Sequence, residues 1–97
     1  MSSFVLTAKA KADLKVIAGY TERRWGKRQR NLYIRQMDDA FHMLAESPLT
    51  GKACDAVKAG YRKLLQGSHV IFYRSKNDGT VEIVRILHKS MDVDLNL

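Results

Sequence analysis

The sequence predicts an α+β fold, in which an N-terminal strand, an antiparallel helical hairpin and a three-stranded antiparallel meander form one sheet with helices on one face. Three observations predict it. A short apolar run at 4–6 precedes two segments whose apolar residues recur with helical spacing. One glycine, Gly26, separates those segments, and so short a connection requires the helices to run antiparallel. Three strand-like runs joined by glycine-containing turns close the chain.

The first helix is predicted to begin after Thr7, which stands where an N-cap belongs. Ala10, three residues on, cannot complete a capping box. The apolar stripe comprises Ala10, Leu14, Ile17, Ala18, Thr21 and Trp25. Gly26 is placed to end this helix with a positive φ.

The second helix is predicted from about Lys27 to Ala45, because Ser47-Pro48 disfavours further helical backbone. Its core stripe is Tyr33, Met37, Ala40, Phe41 and Leu44. Residues 50–60 are expected to form a loop.

The predicted strands are Tyr61–Leu65, Ser68–Ser75 and Thr80–His88. The last two flank Asn77-Asp78-Gly79, which is a strong hairpin signal. A sheet edge left open at Phe4–Leu6 or at Tyr61–Leu65 would be able to accept a strand from a partner.

Composition predicts a single domain over residues 1–97 in the cytoplasm. No apolar run approaches the ~20 residues that span a bilayer, and the N-terminus lacks the pattern of a signal peptide. Cys54 is the only cysteine, which fits a reducing compartment. The net charge is +7, and basic residues concentrate between Arg23 and Arg30. This field indicates either an acidic partner, which would be nucleic acid or an acidic protein surface, or a solvated helix end.

Motifs along nearly the whole chain resemble one toxin family. They are Leu6-Thr7, Ala12-Asp13-Leu14, Ile17, Tyr20-Thr21, Trp25-Gly26, Tyr33, Phe41, Leu44-Ala45, Pro48, Gly51, Gly60–Arg62, Gly67–Arg74, Val81–His88 and Met91-Asp92. In this combination and order the chain is similar to the ParE branch of the RelE/ParE toxin superfamily. The resemblance implies the toxin of a type II toxin–antitoxin pair, which stabilises a plasmid or chromosome. It further implies that the toxin poisons DNA gyrase on its bound DNA and is silenced in a hetero-oligomer with a ParD-like antitoxin.

The sister toxins of RelE type cut mRNA in the ribosome, which needs a base, an acid and cations beside the phosphate. The groups available in the strands are Arg62, Tyr73, Arg74, Arg85 and His88. Strict alternation puts Arg85 on the face of Ile83 and Leu87, and it puts Glu82 and His88 on the opposite face. The groups therefore cannot all reach one phosphate, and the chain lacks the aromatic or His-Tyr-like end that is typical of RelE toxins. We expect no enzymatic activity, no metal and no cofactor, with ribosome-dependent mRNA cleavage as the alternative.

Two sets of residues are candidates for the binding surfaces. The meander and tail are expected to face the target through Arg62, Arg74, Arg85, His88, Met91 and Asp92. The helical hairpin is expected to offer the antitoxin an apolar groove through Leu14, Ile17, Tyr20 and Trp25.

Each candidate also has a structural interpretation. Arg85 is expected to pair with Asp92, Asp94 or an antitoxin carboxylate. His88 is expected to bond to a backbone carbonyl, and Trp25 is expected first of all in the core. Arg62 and Arg74 are either solvated strand residues or anchors for an acidic segment.

Overall fold

The computed structural model describes residues 3–91 and 97, and it confirms the predicted α+β architecture. The elements are β1 (Phe4–Leu6), α1 (Ala8–Trp25), α2 (Lys27–Glu46), β2 (Lys52–Ala53), β3 (Tyr61–Gln66), β4 (His69–Ser75) and β5 (Val81–His88). They form a five-stranded sheet in the order β1-β5-β4-β3-β2. Strand β1 runs parallel to β5, and the other neighbours are antiparallel.

The ends of the helices follow the residues that predicted them. Thr7 is the N-cap of α1, since its Oγ1 accepts a hydrogen bond from the Ala10 amide at 3.0 Å. The same hydroxyl donates to the carbonyl of Val84 at 2.7 Å, which fixes the start of α1 against β5. Gly26, with a φ of 94°, alone connects the two helices, and α2 ends just before Ser47.

The main core lies between the helices and one face of the sheet. Its buried members are Ala10, Ile17, Met37, Ala40, Phe41, Leu44, Ile71, Tyr73, Val81, Ile83 and Ile86. A smaller cluster of Cys54, Phe72 and Leu87 covers the opposite face, because successive residues of a strand point to opposite sides. Leu97 packs against this second cluster, while Asp92 and Asp94 lie outside the described residues.

An irregularity in the β4–β5 pairing changes the predicted faces of β5. Phe72 is opposite Arg85 but Tyr73 is opposite Ile83, so Val84 is an extra residue at this point. Ile83 and Ile86 therefore both belong to the main core, whereas Leu87 belongs to the other cluster. The prediction that Ile83 and Leu87 share a face was wrong, because a bulge cannot be read from alternation. It also follows that His88, two residues beyond Ile86, lies on the side of the helices.

The segment predicted as a loop contains a short strand. β2 pairs Lys52 with Lys63 and Ala53 with Arg62, so it covers part of the edge of β3 that was expected to be open. Across residues 3–91, no helix is long and apolar enough to cross a membrane.

Candidate functional site

A groove of about 570 Å³ runs between α1, the start of α2, the β3–β4 turn and the end of β5. Its lining residues are Val16, Ile17, Tyr20, Thr21, Arg24, Trp25, Gln29, Tyr33, Ser68, His69 and His88. The α1 side is largely apolar and aromatic, whereas the β-turn side is polar. Such a surface suits a ligand that has both apolar and polar groups.

The α1 side of the groove exposes large apolar side chains. Val16, Tyr20 and Trp25 are 71%, 56% and 63% exposed, while Ile17 and Thr21 beneath them are buried. The guanidinium of Arg24 lies 5.4 Å from the centre of the Trp25 ring, a cation–π distance. The expectation that Trp25 belongs to the core was wrong. Eight residues after Ile17, a helix of 3.6 residues per turn has rotated by about 80°, which carries Trp25 off the core stripe.

Tyr33 forms the polar end of the groove by reaching into the β3–β4 turn. Its hydroxyl donates to the Gln66 carbonyl at 3.1 Å, accepts from the Ser68 amide at 3.1 Å and lies 2.7 Å from His69 Nδ1. Burial raises the pKa of Tyr33, and the bond from Ser68 opposes this in part. Gly67, with a φ of 62°, is required here, since a Cβ would lie 2.6 Å from the Tyr33 ring.

His69 and His88 are cross-strand neighbours at this same end. Their ring centres lie 5.4 Å apart, with the planes at 88°. Burial lowers the pKa of His69, the charge of His88 lowers it further, and Asp13 opposes both. His88 Nδ1 accepts from the Ser90 amide at 3.2 Å and lies 2.7 Å from the Ser90 hydroxyl. Among the described residues, His88 bonds to Ser90 and not to the expected backbone carbonyl.

Arg85 is held inside the fold by Asp13 of α1. Its Nε donates to Asp13 Oδ2 at 2.8 Å and its Nη2 to Asp13 Oδ1 at 2.9 Å. Asp13 Oδ2 also accepts from the Ile86 amide at 2.9 Å. The carboxylate therefore satisfies a backbone donor of β5 at a position where β1 no longer pairs with it. These bonds raise the pKa of Arg85. The expected partners Asp92 and Asp94 lie outside the described residues, and the partner of Arg85 within them is Asp13, 72 positions away in the sequence.

The other arginines of the predicted target-facing set also have intramolecular partners. Arg62 Nη1 donates to the Gly51 carbonyl at 2.8 Å. Arg74 Nε donates to Glu82 Oε1 at 2.7 Å, across a strand pair on the surface. Met91 is exposed, and Asp92 lies outside the described residues. Of the described members of this set, His88 lines the groove and the arginines do not.

The residues predicted for antitoxin binding divide into two kinds. Leu14 is half-buried against the core and does not line the groove, whereas Ile17 is buried and lines it. Tyr20 and Trp25 are exposed and offer contact area. Sequence patterns did not mark Tyr33 or His69 as site residues, since Tyr33 lies on the core stripe and His69 begins a strand. The register between β4 and β5 places His69 opposite His88. That register depends on the bulge at Val84, which the sequence pattern does not reveal.

The apolar and polar side chains of the groove can bind a ligand. Its imidazoles and the Tyr33 hydroxyl can also donate and accept protons. Within residues 3–91 and 97, no group of three or more histidine, cysteine or acidic side chains is arranged to hold a metal ion.

Comparison with known proteins gives one consistent result. Residues 4–93 match the model of the family described as ParE toxin of type II toxin-antitoxin system, parDE. A protein called Toxin ParE1 from Mycobacterium tuberculosis is 45% identical over 96 residues, which cover 99% of this chain and 98% of the relative. Among solved structures, the chromosomal ParDE TA system from P. aeruginosa has a TM-score of 0.78 at 22% identity, covering 91% of this chain and 96% of that one. The toxin-antitoxin complex RelBE2 from Mycobacterium tuberculosis has a TM-score of 0.56 at 23% identity, covering 91% and 98%.

Proposed function

Because this chain belongs to the ParE toxin family of type II toxin–antitoxin systems, we propose that it inhibits DNA gyrase in the cytoplasm and is neutralised by a ParD-like antitoxin. The observation that carries the proposal is the family match over residues 4–93, which includes the helical hairpin and the meander. The toxin acts by binding the gyrase–DNA complex and trapping cleaved DNA, without catalysing a reaction itself.

The engagement of the arginines supports binding in preference to catalysis. A phosphate-cleaving site without a metal needs cations that converge on the transition state. Arg85, Arg74 and Arg62 are instead bonded to Asp13, to Glu82 and to a backbone carbonyl at separate places in the fold.

The uneven charge supports contact with gyrase-bound DNA. The chain carries a net charge of +7, and exposed basic residues cluster around the α1–α2 connection. Such a cluster attracts the phosphate backbone independently of base sequence.

The antitoxin is proposed to bind in the groove along α1. Tyr20 and Trp25 are large, exposed aromatic side chains, the kind that dominates binding energy at protein interfaces. We predict that Tyr20→Ala weakens antitoxin binding by about 30-fold, which corresponds to about 2 kcal/mol for an aromatic hot spot. Titration calorimetry measures this, and a thermal melt should be unchanged. Leu32→Ala is the matched control, because Leu32 is exposed on α2 outside the groove. Equal affinities of Tyr20→Ala and wild type would contradict the assignment.

The gyrase proposal is tested with purified gyrase and relaxed plasmid. The toxin should block supercoiling and leave linear plasmid after protein removal, and prior addition of the antitoxin should restore supercoiling. Unimpaired supercoiling at a molar excess of folded toxin would exclude gyrase as the target.

Ribosome-dependent mRNA cleavage is the second candidate function. The observation that favours it is the convergence of Tyr33, His69 and His88 at one end of the groove, since paired imidazoles can serve as acid and base. A primer-extension assay on translating ribosomes tests it. Cleavage that His88→Asn abolishes would establish this function in place of gyrase inhibition.

A further inference from the structure

We propose that His69 and His88 form a carboxylate-binding subsite at the polar end of the groove, and that it takes one acidic side chain from the antitoxin segment lying along α1. This inference rests on the proposed antitoxin binding and adds the chemistry by which the groove selects its occupant.

In each of the two rings, the Nε2 nitrogen is available to a ligand. His69 Nδ1 is engaged with the Tyr33 hydroxyl, and His88 Nδ1 is engaged with Ser90. Among the described residues, neither Nε2 has a hydrogen-bond partner, and both rings line the groove. Because His88 Nδ1 accepts the Ser90 amide, a neutral His88 carries its proton on Nε2 and can donate it. A carboxylate has two acceptor oxygens and can accept from both rings.

The Tyr33 hydroxyl allows His69 to become charged without losing a bond. It donates to the Gln66 carbonyl and accepts from the Ser68 amide, which leaves one lone pair for a proton on His69 Nδ1. A protonated His69 can thus donate Nδ1–H to Tyr33 and Nε2–H to a ligand. The fold holds the ring in place for either protonation state.

The charges around the pair favour an acidic occupant. Asp13 of α1 is the acidic group that acts on His69, and it is already bonded to Arg85. The other groups that face His69 are Tyr33 of α2 and His88 of β5, while Arg24 adds a positive charge to the groove. A partner carboxylate would therefore meet donors and positive charge, and the net charge of +7 steers an acidic segment towards the toxin.

The subsite predicts that binding is linked to proton uptake. In the free toxin, burial and His88 lower the pKa of His69 below its usual 6.5. A carboxylate beside Nε2 favours the charged ring and raises that pKa in the complex. Between the two pKa values of His69, the complex then holds more protons than the free partners. The affinity therefore rises as the pH falls through this interval, and it levels off below the pKa of His69 in the free toxin. Each unit between the two values contributes up to tenfold in affinity.

The test measures the affinity of the full-length toxin for its proposed ParD-like antitoxin, at pH 6.0 and at pH 8.0. We expect binding at least about fivefold tighter at pH 6.0, with proton uptake seen by calorimetry in two buffers of different ionisation enthalpy. His69→Asn keeps an amide nitrogen near Tyr33 but cannot be protonated, and it should remove most of the pH dependence. His42→Asn is the control, because His42 is exposed beside Asp38 and lies outside the groove.

Two further measurements distinguish failure of the subsite from failure of antitoxin binding as a whole. Nuclear magnetic resonance should show the pKa of His69 rising on complex formation, and neutralising one antitoxin carboxylate should reproduce the effect of His69→Asn. Equal pH dependence in wild type, His69→Asn and His88→Asn would overturn the subsite while antitoxin binding stands. Absence of antitoxin binding at every pH would overturn both the subsite and the proposed neutralisation.

Discussion

Removal of the Asp13 carboxylate should destabilise the fold more than any exposed charge change in this protein. Asp13 accepts two hydrogen bonds from Arg85 and one from the Ile86 amide. The side chains of Arg85 and Asp13 are only 17% and 14% exposed, so water cannot fully replace these bonds. Asp13→Ala thus removes the contact that joins α1 to the outer part of β5.

The expected loss follows from those three bonds. A hydrogen bond to a charged group contributes about 1.5–3 kcal/mol and a neutral one about 0.5–1.5 kcal/mol. The sum is an upper limit, because the remaining groups partly rehydrate and the pair is not fully buried. Breaking a fully buried pair costs about 3–5 kcal/mol and an exposed pair about 0–1 kcal/mol. We therefore expect Asp13→Ala to lower the free energy of unfolding by about 3 kcal/mol, or roughly 12–24 °C in Tm for a domain of this size.

Urea unfolding followed by circular dichroism measures this loss. In a double-mutant cycle, Asp13→Ala and Arg85→Ala should show a coupling energy of about 2 kcal/mol. Asp38→Ala is the matched control, since its carboxylate is exposed beside His42 and its loss should stay within about 0.5 kcal/mol. A loss below about 1 kcal/mol for Asp13→Ala, or additive single variants, would refute this reasoning. If Arg85 variants lose toxicity, the first explanation is then their lower stability and not the loss of a contact with the target.

Two further substitutions test how the turns are held. Tyr73→Phe should cost about 1–3 kcal/mol, because the buried Tyr73 hydroxyl donates to the carbonyl at 48 at 2.7 Å and accepts from the amide at 51 at 2.8 Å. Tyr61→Phe is its control, because the Tyr61 hydroxyl makes no hydrogen bond among the described residues. Equal urea midpoints for the two variants would contradict the prediction. Gly67→Ala should lower stability by about 2–3 kcal/mol, from positive-φ strain of about 1–2 kcal/mol plus collision with the Tyr33 ring. Gly79→Ala shares the positive φ but has open space around its Cβ, so a loss as large as that of Gly67→Ala would argue against the collision.

Local signals explain why most of the fold was predictable. The Thr7 cap, the Gly26 connection and the Ser47-Pro48 stop each act within a few residues, so the sequence alone locates the helix ends. Gly67 and Gly79 mark both turns of the meander in the same way. Met37 and Phe41 are buried as their stripe predicts.

The candidate site depended on contacts that local signals do not encode. Arg85 meets Asp13 across the whole helical hairpin, and many acidic residues in the chain were equally plausible partners. The bulge beside Val84 shifts the end of β5 by one residue and brings His88 to the side of the helices, next to His69. Tyr33 combines packing against the core with a hydroxyl directed at a turn, which a pattern of apolar spacing cannot distinguish from plain burial.

A toxin that inhibits gyrase by binding it, as proposed here, must act stoichiometrically, and a titration measures that stoichiometry. Supercoiling activity is measured while toxin is added to a fixed, high concentration of gyrase. The proposal predicts that activity falls in proportion to added toxin and reaches its minimum near a fixed molar ratio, with linear plasmid accumulating in parallel. Full loss at a small fraction of that ratio would indicate a catalytic toxin, and undiminished activity at large excess would exclude gyrase as the target.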